Sequence, residues 1–158
     1  MSELSRSAQR VADALAGKGI DAEVRVLPDS ARTARDAAAA LGCEVSQIVK
    51  SLVFRDIDND RPVLVLAAGP DRVDEGKLAE LVGGPIEQAK ATWVKQRTGF
   101  AVGGVPPLAH TEPLSPFVDA NLLRHNTVWA AAGTPHAVFP ADPKQLVAAT
   151  DGTVVNLV

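Results

Sequence analysis

The chain contains 158 residues, of which 46% are hydrophobic, 22% are charged and 4% are aromatic. This length fits one domain, and the composition is typical of a folded globular protein rather than a disordered one. Sixteen Lys and Arg residues against nineteen Asp and Glu residues give a net charge of −3. This charge argues against a protein that wraps nucleic acid by bulk positive charge, but it allows a local contact with one end of a nucleic acid.

The first predicted element is a helix over residues 4–16, because apolar residues recur there at the spacing of one helix face. Ser2 or Ser5 is the expected N-cap, since a serine hydroxyl can accept from the first free N–H groups of a helix. Gly17 or Gly19 is expected to end the helix.

A strand and a second helix follow. Residues 23–26 alternate polar and apolar side chains, which predicts a half-buried strand that Pro28 ends. Thr33 is expected to begin the helix, with Asp36 three residues later in a variant of the capping box. The helix then runs through an alanine segment to Gly42.

The middle of the chain is predicted to form a β-hairpin. Residues 49–55 and 62–68 are apolar runs of strand length. The polar residues 56–61 between them suit the connecting loop.

Three more helices and five short strands are predicted in the remaining chain. The first helix is capped by Asp74, ends at Gly83 and turns Leu78, Leu81 and Val82 inward. The second covers residues 92–98, with Thr92 as its cap. The third covers residues 143–149 and begins at Asp142 and Pro143. The strands are expected over 100–102, 115–119, 127–132, 136–139 and 153–157.

The order of these elements indicates the fold class. Neighbouring strands are mixed with helices, without the regular alternation of a doubly wound parallel sheet. We therefore predict a single α/β (α+β) domain over residues 1–158, with a mixed, mainly antiparallel sheet flanked by helices.

Cysteine content and hydropathy favour a cytoplasmic location. The single Cys43 cannot form an internal disulfide and cannot alone supply a zinc site. The first residues lack the apolar core of a signal peptide, and no run approaches the roughly 18 apolar residues that cross a bilayer. We expect no membrane partner.

Lys50 is the first candidate functional residue, because it stands inside an apolar strand. In that strand it shares a face with Leu52 and Phe54, where an unpaired charge is costly. Two interpretations are open. The side chain either extends to water from the strand end or holds an ammonium group in place for an anion such as a phosphate or carboxylate.

The segment 99–107 is the second candidate. Its paired glycines, Gly103 and Gly104, let a chain approach a ligand closely and direct backbone N–H groups at an anion or a developing oxyanion. The alternative is a tight turn made rigid by Pro106 and Pro107. The segment matches neither a dinucleotide-binding fingerprint nor a phosphate loop.

His136 is the third candidate. It follows Gly133, Thr134 and Pro135 at the end of an apolar run, where an imidazole can reach a ligand. The alternative is a surface histidine in a loop.

Familiar catalytic arrangements are missing from the sequence. The three histidines lack the spacing of metal ligands, and the chain has no G-x-S-x-G segment. A hydrolase with this sequence is expected to work without a bound metal, a cofactor or a covalent nucleophile. Backbone donors and the substrate's own groups would then assist hydrolysis.

These candidates occur in the order found in a known family. The segments 48–53, 98–107 and 132–136 resemble the YbaK/prolyl-tRNA-synthetase-associated editing domain family, and the likeness covers essentially the whole chain. The resemblance implies a barrel-like, mainly antiparallel sheet. It also implies a freestanding deacylase that hydrolyses mischarged tRNA, typically proline tRNA that carries alanine, cysteine or a similar small residue.

The resemblance also assigns roles to residues. Lys50, Gly103, Gly104 and His136 match positions with catalytic roles, and Lys50 would contact the phosphate or ribose of the 3′-terminal adenosine. The positions expected to bind substrate are Gly99, Phe100, Pro106, Gly133 and Thr134. His136 favours the branch that resembles the insertion domain of bacterial prolyl-tRNA synthetases over the cysteine-editing branch.

Partners and alternative functions follow from the same likeness. The implied partners are the aminoacyl-tRNA acceptor end and prolyl-tRNA synthetase, and the oligomeric state stays open. One alternative is a non-catalytic module that binds aminoacyl-tRNA or a small ligand in the same pocket. Another is a small-molecule hydrolase that does not act on tRNA.

Overall fold

The computed structural model describes residues 4–158, so the predicted cap Ser2 lies outside the described residues. The strands are β1 (Arg25–Val26), β2 (Val49–Asp56), β3 (Arg61–Ala68), β4 (Ile86–Gln88), β5 (Phe117–Asp119), β6 (Val128–Ala131), β7 (Ala137–Ala141) and β8 (Thr153–Val155). The α-helices are α1 (Arg6–Gly17), α2 (Ala34–Leu41), α3 (Glu75–Val82), α4 (Ala91–Thr98) and α5 (Pro143–Thr150). Short 3₁₀ helices cover Val45–Gln47 and Ala120–Arg124.

The predicted hairpin is confirmed and forms the centre of the larger sheet. β2 and β3 pair antiparallel in a register that places Val49 opposite Ala68 and Asp56 opposite Arg61. The five-stranded sheet has the order β4-β2-β3-β5-β8, in which β5 and β8 run parallel to their neighbours. The fold is therefore the predicted mixed α/β domain.

A smaller antiparallel sheet of order β1-β7-β6 lies beside the larger one. In the described part of the chain, one bridge, between Ile48 and Trp129, joins the two sheets. Across residues 4–158 the strands form two sheets and not one closed barrel, so the barrel-like part of the expectation is corrected.

Four predicted helix caps are present. The side chains of Ser5, Thr33, Asp74 and Asp142 accept hydrogen bonds from backbone N–H groups in the first turns of α1, α2, α3 and α5, over 3.1, 3.0, 2.9 and 2.8 Å. α1 buries Ala8, Val11 and Leu15 in the main core. Within the described residues, no helix combines the length and apolarity needed to span a membrane.

Other local predictions were wrong or incomplete. Thr92 does not cap α4, which begins one residue earlier after Lys90. Leu81 is 47% exposed instead of buried. The strand over 23–26 shrinks to the two exposed residues of β1.

The expected strand over 100–102 is replaced by a turn, because Gly99 takes a φ of +84° at the end of α4 and redirects the chain. The short strand β4 was not predicted. Its pairing with β2 is a tertiary contact, and the three residues carry no clear alternation of their own.

Candidate active site

Two neighbouring cavities lie along the first half of β2. One, of about 280 Å³, extends to Gln88 and Ala89 at the end of β4, and we call it the β4 cavity. The other, of about 300 Å³, extends to Trp129 and Ala131 on β6, and we call it the β6 cavity. Both are lined by the same four residues, Lys50, Ser51, Leu52 and Val102, which form a shared wall.

The cavities exist because β2 has an uncovered edge. Within residues 4–158, β4 pairs with β2 only at Phe54–Asp56, and the bridge from β6 to this side of the hairpin lies at Ile48, just before β2. The Ala89 N–H donates to the Val53 carbonyl over 3.3 Å, so the odd-numbered residues of β2 direct their backbone groups towards this edge. In the described part of the chain, the N–H and C=O of Ser51 therefore have no strand partner and are free to bind a ligand.

Lys50 is held in position at this shared wall. The side chain is half-buried, and its Nζ donates to the backbone carbonyl of Asp71. The Asp71 carboxylate in turn accepts from Asn121 Nδ2 over 2.8 Å. Because an ammonium group has three N–H donors, it can contact an anionic ligand while it keeps the bond to Asp71.

The segment 99–107, which we call the glycine loop, forms a tight turn beside the β6 cavity. The Gly104 N–H donates to the Ala101 carbonyl over 3.0 Å, and Gly103 has a φ of +91°, as in a type II turn. The Gly104 amide is therefore already used within the turn, contrary to the expectation that both glycines donate to a ligand. Gly103 lines the β6 cavity, and its N–H has no partner among the hydrogen bonds found in residues 4–158.

Gly104 and Gly133 join the loop to the rest of the fold. The Gly133 N–H donates to the Gly104 carbonyl over 3.0 Å. A Cβ atom at Gly104 would lie 2.7 Å from Thr134 Cα, and one at Gly133 would lie 2.6 Å from the Ser7 carbonyl oxygen in α1. These residues bring the loops together, while Pro135 lines the β6 cavity.

A cluster around the buried ring of Phe100 supports the same loop. Phe100 is 1% exposed, and the guanidinium of Arg10 lies 4.6 Å from its ring centroid. Arg10 also donates to the Ala109 carbonyl over 3.3 Å. His110 Nε2 donates to the Pro106 carbonyl over 2.6 Å, and burial lowers the pKa of His110, which favours its neutral form.

The structure therefore brings together only part of the predicted set. Lys50 and Gly103 line one cavity although they are far apart in the chain. Phe100 and Pro106 are buried, and Gly99 ends α4. His136 is half-buried; among the described residues it is not part of either cavity lining, and its backbone carbonyl accepts from the Leu27 N–H over 2.7 Å.

Several lining residues were missed by sequence reasoning. Ser51 has a buried hydroxyl without a hydrogen-bond partner in residues 4–158, and a polar residue next to Lys50 in an apolar run was a usable signal. Arg72 lines the β4 cavity and Arg32 the β6 cavity. Both lie in loops, where an arginine carries no signal of its own. Within the described residues, no three His, Cys, Asp or Glu side chains form a group that could hold a metal.

Comparisons with known proteins agree with this architecture. A family model described as an aminoacyl-tRNA editing domain matches residues 28–149. The chain is 31% identical over 124 residues to the uncharacterized protein YwhH of Bacillus subtilis (strain 168), a match that covers 78% of each chain. It is 33% identical over 96 residues to a proline–tRNA ligase of Limosilactobacillus fermentum, which covers 58% of this chain and 17% of the ligase.

A solved structure of a proposed trans-editing enzyme for prolyl tRNA synthetase superposes with a TM-score of 0.93. It is 49% identical in sequence, and the superposition covers 98% of both chains.

Proposed function

The chain belongs to the aminoacyl-tRNA editing domain family, and on that premise we propose that it is a freestanding deacylase that hydrolyses the ester of mischarged tRNA. The proposed substrate is proline tRNA that carries a small wrong amino acid such as alanine or cysteine. The observation that supports this most directly is the meeting of Lys50 and Gly103 at one cavity.

The two cavities suggest how such a substrate would lie. We place the terminal adenosine in the β4 cavity, the ester at the shared wall, and the amino-acid side chain in the β6 cavity. In this arrangement the Lys50 ammonium contacts the phosphate or ribose of the adenosine. The β6 cavity offers an apolar surface to the amino-acid side chain, since its lining includes Ala31, Ala34, Ala37 and Ala131.

Hydrolysis in this proposal depends on backbone donors. The ester carbonyl becomes a tetrahedral oxyanion when water attacks, and the free N–H groups of Gly103 and Ser51 are the available donors beside the shared wall. Loss of one such donor typically slows an enzyme by about 10²–10³-fold. The substrate's free amino group would accept the proton of the attacking water, or its 2′-hydroxyl would pass that proton on. When the ester bond to the 3′-oxygen breaks, the proton goes to that oxygen, without a metal.

The other residues of the predicted set act through the loops. Gly104, Gly133 and Thr134 hold the glycine loop in place, while Phe100 and Pro106 anchor it in the core. His136 and Gly99 orient the segments that lead into the cavity. Discrimination against proline would be steric, because each methylene group contributes only about 1–3 kcal/mol to binding.

The test is a panel of proline tRNAs charged with alanine, cysteine, serine or proline, together with matched alanine and cysteine tRNAs. We expect catalytic amounts of the protein to release the small amino acids from proline tRNA and to leave prolyl-tRNA intact. The reaction should persist in excess EDTA and stop when the terminal ribose is 2′-deoxy.

A non-catalytic binding module would instead protect the ester from spontaneous hydrolysis. Protection, or the absence of turnover on every tRNA in the panel, would overturn the proposed activity. Turnover of simple aminoacyl esters but of no tRNA would favour a small-molecule hydrolase.

A further inference from the structure

A third cavity, of about 390 Å³, lies next to the β4 cavity. Gln88 and Ala89 line both cavities, so the end of β4 separates them. On its other side the third cavity is lined by Lys90 and Trp93, at the start of α4. A ligand that leaves the β4 cavity past β4 would enter this space.

Trp93 offers a fixed aromatic surface to the third cavity. Its side chain is half-buried, and the guanidinium of Arg97 lies 5.0 Å from its ring centroid. Arg97 is not one of the residues that line the cavity, so it supports the ring from outside while Trp93 faces the space. A cation against one face of an indole ring holds the ring in place and leaves the rest available for stacking.

The charges of the third cavity favour a ligand with a phosphate. The two lining carboxylates are paired with two guanidinium groups: Asp60 lies 2.8 Å from Arg55 and 2.6 Å from Arg97, and Glu87 lies 2.9 Å from Arg55. Lys90 also lines the cavity and forms no ion pair within residues 4–158. An aromatic ring beside an available ammonium is the arrangement that single-stranded nucleic acids bind by base stacking and phosphate contact.

We propose that the third cavity binds the nucleotide that precedes the terminal adenosine, with its base stacked on Trp93 and its phosphate beside Lys90. This inference rests on the proposed function, because it takes the adenosine to lie in the β4 cavity. The 3′ end of a tRNA is single-stranded, so the preceding base is free to stack on a protein side chain. The third cavity would then hold the acceptor strand before the ester reaches the shared wall.

The first experiment compares two substrates that differ only in the preceding nucleotides. Trp93→Ala should raise the KM for alanyl-tRNA(Pro) by about 10-fold or more, since stacking on an aromatic ring contributes that much per base. It should leave kcat/KM unchanged for the alanyl ester of adenosine, which has no preceding nucleotide. Trp93→Phe should restore most of the affinity for the tRNA.

Lysine variants provide a matched pair. Lys90→Ala should raise the KM for the tRNA several-fold, whereas Lys95→Ala, on the same helix but outside the cavity lining, should not. An unchanged KM for the tRNA in Trp93→Ala would overturn the inference. An equal loss on both substrates would also overturn it, because that result indicates a general structural defect.

Direct binding separates this inference from the proposed activity. In a Trp129→Phe background, Trp93 is the only tryptophan, and the trinucleotide cytidylyl-cytidylyl-adenosine should quench its fluorescence more strongly than adenosine alone. Quenching by the trinucleotide, together with no deacylation by the protein that retains Trp129, would support the subsite and overturn the activity. Deacylation with equal fluorescence quenching by the trinucleotide and by adenosine would support the activity and overturn the subsite.

Discussion

At the scale of single residues, Lys50 carries most of the proposed chemistry. It interrupts a strand whose neighbouring side chains are apolar, and a buried cation in such surroundings needs a polar partner. The carbonyl of Asp71 supplies one partner, and the cavity leaves room for a second. The residue is therefore positioned for a ligand at little cost to the fold.

We expect Lys50→Ala to slow deacylation of alanyl-tRNA(Pro) by about 10²-fold, because it removes an oriented cation from the acceptor end. Stability should change little, since the ammonium does not fill the core. Single-turnover kinetics and thermal unfolding would measure the two effects. Lys144→Ala, on the exposed side of α5, is the control, and a wild-type rate in Lys50→Ala would refute the role.

At the scale of elements, the site depends on contacts between loops. The glycine loop lies against the segment after β6, which in turn lies against the first turn of α1. Neither Gly104 nor Gly133 has room for a side chain, because the atoms nearest to a Cβ at these positions belong to the backbone of the neighbouring segment. The position of Gly103 at the cavity is therefore set by the packing of three separate segments.

Gly104→Ala should displace the glycine loop, because its Cβ would lie 2.7 Å from Thr134 Cα. We expect a loss of about 1–3 kcal/mol in the free energy of unfolding, as overpacking commonly causes, and a reduced deacylation rate. Denaturant unfolding and the rate assay would measure both. Gly17→Ala has no atom within 4 Å of the new methyl group and should be harmless. Equal free energies of unfolding and equal deacylation rates in Gly104→Ala and Gly17→Ala would contradict the packing argument.

At the scale of the whole molecule, the charge distribution limits how much nucleic acid can be bound. The net charge is −3, and the cations that line the three cavities are few: Lys50, Arg72, Arg32, Arg55 and Lys90. A long contact with a tRNA body would require many more. The proposed contact is therefore confined to the acceptor end.

The salt dependence of tRNA binding should accordingly be shallow. Each neutralised phosphate releases bound counterions and adds to the slope of log Kd against log salt concentration. We expect a slope equivalent to roughly two to four phosphates. Binding titrations between low and moderate salt would measure it. The steep slope of a large basic interface would mean that the protein also holds the tRNA body.

The sequence predicted the features that local chemistry determines. Capping side chains such as Thr33 and Asp142 located helix starts, and the polar loop between two apolar runs located the hairpin. The pairing of β4 with β2 was not predicted, because it depends on contact with a distant segment. A tight turn was one of the two interpretations of residues 99–107, and the Gly104–Ala101 hydrogen bond forms such a turn in place of the strand expected over 100–102.

The same difference between local signals and long-range contacts decides which site residues could be predicted. Lys50 and Gly103 stood out because their residue types are unusual in their local context. Arg72 and Trp93 did not, since their significance comes from cavities that form only when β2, β4 and α4 are assembled.

The tight fit at Gly104 also limits how the protein can change over evolutionary time. A larger residue at a crowded position is usually accommodated when a neighbouring side chain becomes smaller. Here the crowding atoms belong to the main chain of Thr134, which no codon change at that position can remove. Relief of the crowding requires a shift of the Thr134 main chain, so a smaller side chain at a neighbouring position does not by itself make room for a larger residue at Gly104.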